Sequence, residues 1–80
     1  MKHVVYVLKS LRDSKRYIGY TENLDRRIRE HNTGMVKSTR HRKPLEIIYT
    51  EEFRSKAEAQ QREKFFKSGK GREYLKEKML

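Results

Sequence analysis

Apolar residues along the chain fall into short runs with a strand pattern, separated by stretches with a helix pattern. The runs His3–Leu8, Arg16–Tyr20 and Leu45–Phe53 are rich in β-branched and aromatic residues, as strands are. Asp13 and Ser14 are turn residues between the first two runs, which predicts a hairpin there. The three runs therefore predict a small sheet that is mainly antiparallel.

The stretch after the second strand predicts an amphipathic helix. Asn23 suits the N-cap position, and Gly34 suits the position that follows the last turn. Leu24 and Ile28 are four residues apart and define the face that packs against the sheet. The helix is therefore expected to bury one narrow apolar line.

Two further helices are predicted after the third strand. Ser55 is followed three residues later by Glu58, a capping box that begins the second helix, and Gly69 is expected to end it. The tail from Gly71 is expected to form a third helix, and its residues expected to seal the core are Tyr74, Leu75 and Met79. The predicted order is β-β-α-β-α-α, an α+β fold with a small three-stranded antiparallel sheet flanked by helices.

The composition fits one small basic domain. Eighty residues lie near the lower limit of independent folding, so a single domain over residues 1–80 is expected. Twenty-one Lys and Arg against 11 Asp and Glu give a formal net charge of +10, which favours a polyanionic partner. Nucleic acid is the expected partner, and an acidic protein is an alternative that charge alone does not exclude.

The chain contains no cysteine, which excludes disulfide scaffolds, thiolate zinc sites and cysteine catalysis. No apolar run approaches the roughly 20 residues of a membrane span. The apolar run near the start is too short for a signal peptide. We therefore expect no membrane association and a cytoplasmic location.

The segment between the first helix and the third strand is basic and free of acids. It runs from Met35 to Pro44, and its basic residues are Lys37, Arg40, His41, Arg42 and Lys43. Like charges in such a run repel one another unless an anion compensates them. The segment is therefore predicted to bind nucleic-acid phosphates, the alternative being an ordinary solvated loop.

Polar groups occupy positions on the first helix where an ordinary amphipathic helix carries aliphatic ones. His31 falls on the line of Leu24 and Ile28, and Arg27 lies close to that line on the helical wheel. Both side chains are therefore expected to face the strands. A guanidinium so placed can bind two phosphate oxygens at once and stabilise developing negative charge.

An acid occupies the apolar line of the second helix. Glu63 lies four residues after Ala59 and three before Phe66, where burying a carboxylate is unfavourable unless it has a partner or a metal ion. A lone carboxylate is enough for Mg²⁺, which keeps its waters and takes substrate phosphate as a further ligand. The alternative is a structural pair with Arg62 or Lys67.

Five residues, taken in order along the chain, give the sequence its resemblance to the GIY-YIG nuclease superfamily. They are Tyr6, Tyr17, Arg27, His31 and Glu63. The triplet VVY that ends at Tyr6 stands where that family has its first motif, and the triplet YIG that begins at Tyr17 is its second motif intact. Arg27 lies ten residues after Tyr17, at the place of the family's catalytic arginine. His31 takes a position that carries His or Tyr in members, and Glu63 matches the metal-binding glutamate.

The pairs Thr39-Arg40, Lys43-Pro44 and Glu63-Lys64, together with Lys67, are most similar to the small stand-alone bacterial branch of that family. The resemblance implies a metal-dependent endonuclease-type hydrolase of phosphodiester bonds in nucleic acid, with DNA expected as the polymer. It also implies one Mg²⁺ or Mn²⁺ ion.

The resemblance implies a role for each site residue. Glu63 would hold the ion, Arg27 would bind the phosphate, and Tyr17, helped by Tyr6, would orient or deprotonate the attacking water. His31 is a second candidate for proton transfer. Two alternatives stay open: a nucleic-acid-binding module without catalysis, in which Arg27 and Glu63 form a structural ion pair, and an accessory subunit that binds an acidic protein.

Overall fold

The computed structural model describes residues 2–80, which form one antiparallel sheet and three helices. The elements are β1 (His3–Ser10), β2 (Arg16–Thr21), α1 (Leu24–Asn32), β3 (Leu45–Phe53), α2 (Lys56–Lys67) and α3 (Gly69–Glu77). The predicted order and the α+β class are confirmed. Among the helices of residues 2–80, none has the length and apolar character needed to cross a bilayer.

Strand β1 is the centre of the sheet, with β2 and β3 antiparallel on either side. Its residues Val4–Leu8 are buried because both faces of the strand are covered. Val5 and Val7 point to the larger core, which is closed by α2 and α3. Tyr6 and Leu8 point to the opposite face, which is closed by α1. The two faces of the sheet thus belong to different helices.

Side-chain caps set the ends of the helices. The Asn23 carboxamide accepts a backbone N–H of the first turn of α1 at 3.0 Å, and Gly34 follows that helix with φ of +80°, both as predicted. Ser68 is at once the C-cap of α2 and the N-cap of α3, where its hydroxyl accepts the Gly71 N–H at 3.2 Å. The third helix therefore begins at Gly69, two residues before the predicted start.

Helix α3 closes the core with two of the three residues expected to do so. Leu75 is 1% exposed, and Tyr74 packs at the edge of the larger core. Met79 is 93% exposed because it lies beyond the last helical turn, in a left-handed conformation with φ of 62°. The prediction of a core role was wrong for Met79.

Candidate active site

Gly19 leaves a gap in the edge strand β2, and the ring of Tyr6 fills it. The two residues lie opposite each other in the β1–β2 pair. A Cβ at Gly19 would lie 2.3 Å from both Cζ and the hydroxyl oxygen of Tyr6, so only glycine lets the ring lie across the strand. The ring of Tyr17 lies 6.5 Å from that of Tyr6, as expected for tyrosines on neighbouring strands. Tyr6 is 1% exposed, whereas Tyr17 is half-buried.

Gly19→Ala should displace the Tyr6 ring, because the added methyl group would overlap it. We expect the free energy of unfolding to fall by about 1–3 kcal/mol, the usual effect of overpacking, as measured by urea denaturation. Gly69→Ala is the matched control, since a Cβ there meets no atom within 4 Å. Equal stability of Gly19→Ala and the parent would show that the ring can move aside freely.

A row of hydrogen bonds runs from Tyr6 through His31 to Thr39. His31 Nε2 lies 2.9 Å from the Tyr6 hydroxyl oxygen, and His31 Nδ1 lies 2.7 Å from the Thr39 hydroxyl oxygen. His31 and Thr39 are fully buried. Both ring nitrogens therefore form hydrogen bonds within the protein interior. Sequence reasoning singled out His31 but gave no role to Thr39, whose contact with the histidine depends on how the loop folds.

Burial, and next the positive charge of Arg27, lower the pKa of His31 from 6.5 to about 4. In the unfolded chain the imidazole binds a proton below about pH 6.5, whereas in the folded chain it does so only near pH 4. This contribution to stability is therefore complete above pH 6.5 and is lost as the pH falls toward 4.

His31→Gln should make stability less sensitive to acid, because it removes that difference in proton binding. For the parent we expect His31 alone to lower the free energy of unfolding by roughly 1–3 kcal/mol between pH 7.5 and pH 5. Denaturant titrations at the two pH values measure the difference. His41→Gln, an exposed histidine in the basic loop, should behave as the parent does. An unchanged pH dependence in His31→Gln would contradict a neutral buried imidazole.

Arg27 lies beside the Tyr6 hydroxyl, at the open side of the row. Its Nε donates to the Tyr6 hydroxyl oxygen at 3.4 Å, and its Nη1 lies 3.2 Å from Glu30 Oε1. The side chain is 36% exposed, so the guanidinium keeps N–H donors that point to solvent. An oriented, half-exposed guanidinium of this kind can bind a phosphate group.

Glu63 comes from the helix that packs on the other face of the sheet. The pKa of Tyr6 is raised mainly by burial and is lowered by Arg27, and the negative charge of Glu63 adds a small further rise. Glu63 Oε2 lies 2.9 Å from Lys67 Nζ, which was one of the two structural partners considered. Arg27 pairs with Glu30 instead, so the structural Arg27–Glu63 ion pair is not formed.

The carboxylate of Glu63 fits a weakly held hard cation. Its side chain is 23% exposed, and Oε1 makes no hydrogen bond to any other residue of the range 2–80. The same range contains no cluster of three or more His, Asp or Glu that could enclose a metal. One free carboxylate oxygen suits Mg²⁺ or Mn²⁺, which keep their waters and bind substrate phosphates, better than an ion that needs a protein cage.

A cavity of about 760 Å³ opens beside Tyr17 at the edge strand. Its apolar lining comes from Ile18, Phe66, Leu75 and Leu80. Its basic lining residues are Lys9, Lys15, Arg16, Lys67 and Arg72, and no acid lines it. The sequence did not reveal this group, because its members come from two distant parts of the chain, residues 9–18 and 66–80.

The basic loop is held against the β1–β2 hairpin. Arg42 Nε lies 3.1 Å from Asp13 Oδ2, and Arg42 Nη2 donates to the Arg16 carbonyl oxygen at 3.3 Å. Arg42 is therefore engaged within the protein. The other four residues predicted to bind phosphates are exposed, and they are Lys37, Arg40, His41 and Lys43. The Arg42–Arg16 hydrogen bond therefore joins the loop to the first residue of β2, whose side chain lines the cavity.

Comparison with known proteins gives consistent results. The GIY-YIG catalytic domain family matches residues 2–77. A UPF0213 protein of Natronomonas pharaonis is 51% identical over 67 residues, which is 82% of this chain and 78% of that protein. A UPF0213 protein of Bacillus licheniformis is 46% identical over 80 residues, 95% of this chain and 81% of that protein. The solution NMR structure of a UPF0213 protein from Bacillus halodurans is 41% identical, with a TM-score of 0.58, and covers 94% of this chain and 82% of that one.

Proposed function

Since this chain belongs to the GIY-YIG family, we propose that it is a divalent-metal-dependent nuclease that hydrolyses phosphodiester bonds in nucleic acid, with DNA as its polymer. The observation that supports this best is the position of the Arg27 guanidinium against the Tyr6 hydroxyl, with the Tyr17 ring beside it, and Glu63 on α2 is close enough to contribute to the raised pKa of Tyr6. The residues are Tyr6, Tyr17, Arg27 and Glu63. These groups match the needs of phosphodiester hydrolysis: an anion clamp, a group that orients water, and an oxygen ligand for a metal ion.

Glu63 is the residue that would hold the ion, through the carboxylate oxygen that Lys67 leaves free. When bound, one Mg²⁺ or Mn²⁺ supplies positive charge that polarises a phosphate oxygen and stabilises the leaving oxygen. Lys67 places an ammonium group next to the same carboxylate. The substrate phosphate would therefore meet cations from both α1 and α2.

Arg27 would bind the scissile phosphate. The contacts with Tyr6 and Glu30 hold the guanidinium before substrate arrives, so little of its orientation has to be fixed on binding. Negative charge increases on the phosphate oxygens as water attacks, and a fixed guanidinium stabilises that charge. Arg27 is thus the residue we expect to contribute most to the chemical step.

Tyr17 would contact the attacking water, since it is the more exposed of the two tyrosines and lines the cavity. Its hydroxyl would orient the water oxygen toward phosphorus. The water oxygen then forms a bond to phosphorus, and the water releases a proton to solvent. The bond from phosphorus to the leaving oxygen breaks, and the leaving oxygen takes up a proton. Tyr6 and His31 are covered by protein, so we assign both as positioning residues.

Neutralising the exposed cations of the basic loop should weaken the salt dependence of nucleic-acid binding. We expect the triple variant of Lys37, Arg40 and Lys43 to Gln to reduce the slope of log affinity against log salt by about 2–3, because each lost phosphate contact removes about 0.7–0.9. Fluorescence anisotropy with a labelled oligonucleotide measures the slope. Arg42 is kept because it pairs with Asp13.

The matched control removes three exposed charges from the helices, with Lys56, Lys70 and Lys76 changed to Gln. It should leave the slope close to that of the parent. An unchanged slope in the loop variant, together with a reduced slope in the control, would place the binding surface on the helices.

Cleavage assays test the function itself. Duplex, branched and single-stranded DNA and single-stranded RNA are incubated with the protein, with Mg²⁺, with Mn²⁺ or with a chelator. We expect cleavage of DNA that requires the metal. No metal-dependent cleavage of any of these substrates, under conditions where they are bound, would overturn the proposal.

A nucleic-acid-binding module without catalysis is the second candidate. The Glu63–Lys67 ion pair favours it, because the carboxylate already has a cationic partner within its own helix. This candidate expects binding with the same salt dependence and no cleavage. The cleavage assay therefore separates the two.

A further inference from the structure

We infer that Thr39 is a positioning residue of the active site, and that it holds His31 so that Nε2–H donates to the Tyr6 hydroxyl oxygen. The consequence for catalysis rests on the proposed function, whereas the hydrogen-bond arrangement does not.

The three side chains form a hydrogen-bonded row inside the protein. Thr39 and His31 are fully buried, and Tyr6 is 1% exposed. Each hydroxyl has one proton and a neutral imidazole has one N–H, so three protons are present for two hydrogen bonds. One hydroxyl proton must therefore point away from the row, either at Thr39 or at Tyr6.

The Tyr6 end accommodates the spare proton better. Among residues 2–80, the Thr39 hydroxyl has no hydrogen-bond partner other than His31, and a buried hydroxyl proton without an acceptor costs about 1–3 kcal/mol. The Tyr6 hydroxyl lies next to Arg27, whose side chain is 36% exposed, on the side where a phosphate would bind. A water molecule beside the Arg27 guanidinium can accept the proton. Donation then runs from Thr39 to His31 and from His31 to Tyr6.

This direction of donation fixes the Tyr6 oxygen from two sides. It accepts one hydrogen bond from His31 and one from Arg27 Nε, which keeps both the phenol and the guanidinium in place. Thr39 belongs to the basic loop, between Lys37 and Arg40. The loop proposed to bind phosphates therefore also carries the residue that sets the position of Tyr6.

The tautomer of His31 tests the inference without any assay of activity. A two-bond ¹H–¹⁵N correlation spectrum near pH 7 distinguishes a protonated from an unprotonated ring nitrogen, and the chain has only three histidines to assign. We expect Nε2 to carry the proton in the parent and in Thr39→Ser. In Thr39→Val, which cannot donate to Nδ1, we expect the single Nε2–H form to be lost. A parent protein with the proton on Nδ1 overturns the inference.

The cleavage assay tests the consequence for catalysis. Thr39→Ser should retain most of the parental kcat, whereas Thr39→Val should lower kcat about tenfold or more with little change in KM, as is usual when a supporting hydrogen bond is lost. Equal kcat in Thr39→Val and the parent overturns the catalytic role. Failure of the parent to cleave would defeat the proposed function but would leave the tautomer result unaffected. If Thr39→Val does not fold, the spectra of the parent and of Thr39→Ser still decide which ring nitrogen of His31 carries the proton.

Discussion

Replacing Arg27 with alanine should slow metal-dependent cleavage about a hundredfold to a thousandfold, or about 3–4 kcal/mol of transition-state stabilisation. The guanidinium is held by Tyr6 and Glu30 at a half-exposed position, so it meets the phosphate already oriented. Its effect on affinity should be much smaller, because charge on the phosphate oxygens increases only as the water attacks. Single-turnover cleavage and anisotropy on the same substrate measure the two effects separately.

Arg26→Ala is the matched control, since Arg26 is the exposed neighbour on the same helix and should change kcat little. Arg27→Lys should fall between the two, because an ammonium keeps the charge and loses the planar pair of donors. Stability should change by less than about 1 kcal/mol, since the Arg27–Glu30 pair is partly exposed. If Arg27→Ala weakened binding while kcat stayed parental, Arg27 would belong to the binding surface alone.

Removing the Glu63 carboxylate should abolish metal-dependent cleavage and leave binding nearly intact. Glu63→Gln keeps the shape of the side chain and removes its charge, and Glu63→Ala removes both. The fold should tolerate either change, because the Glu63–Lys67 pair is an i,i+4 pair near the surface and such pairs contribute only about 0.3–0.5 kcal/mol. Titration of Mg²⁺ and Mn²⁺ in the cleavage assay is the measurement.

Glu73→Gln is the control for a lost negative charge, since Glu73 is exposed on α3. A Glu63→Ala variant that is stable and cuts as fast as the parent would defeat the enzymatic proposal. A large fall in melting temperature in both Glu63 variants would favour the structural role of the Glu63–Lys67 pair.

The elements of the fold were predictable because their signals are local. The bounds of β3 match the run of β-branched and aromatic residues, and the caps at Asn23 and Ser55 begin their helices as the sequence indicates. The start of α3 was predicted two residues too late. Ser68 is both the C-cap of α2 and the N-cap of α3, and the sequence pattern does not indicate that the two helices share one cap residue. Met79 was assigned to the core because it is apolar. The sequence does not indicate that the last helical turn ends before this residue.

The site was predictable only where spacing along one element determines geometry. Arg27 and His31 face the strands, as the helical wheel indicates, and Gly19 admits the Tyr6 ring. The burial of His31 between two hydroxyls was not predictable, because its second partner lies in an irregular loop whose path no periodicity describes. The same reason applies to Arg42, whose ion pair spans 29 positions of the chain.

The position of β2 at the edge of the sheet has a consequence for self-association. An edge strand can pair with a strand of a second copy, and such pairing at β2 would hinder the access of substrate to Tyr17. The strand is only six residues long, is weakened by Gly19, and begins at Arg16, directly after Lys15. With a net charge of +10, two copies repel each other, so the charge that suits phosphates also protects this edge. Variants with neutralised basic residues should therefore be checked for oligomers by light scattering before their affinities are compared.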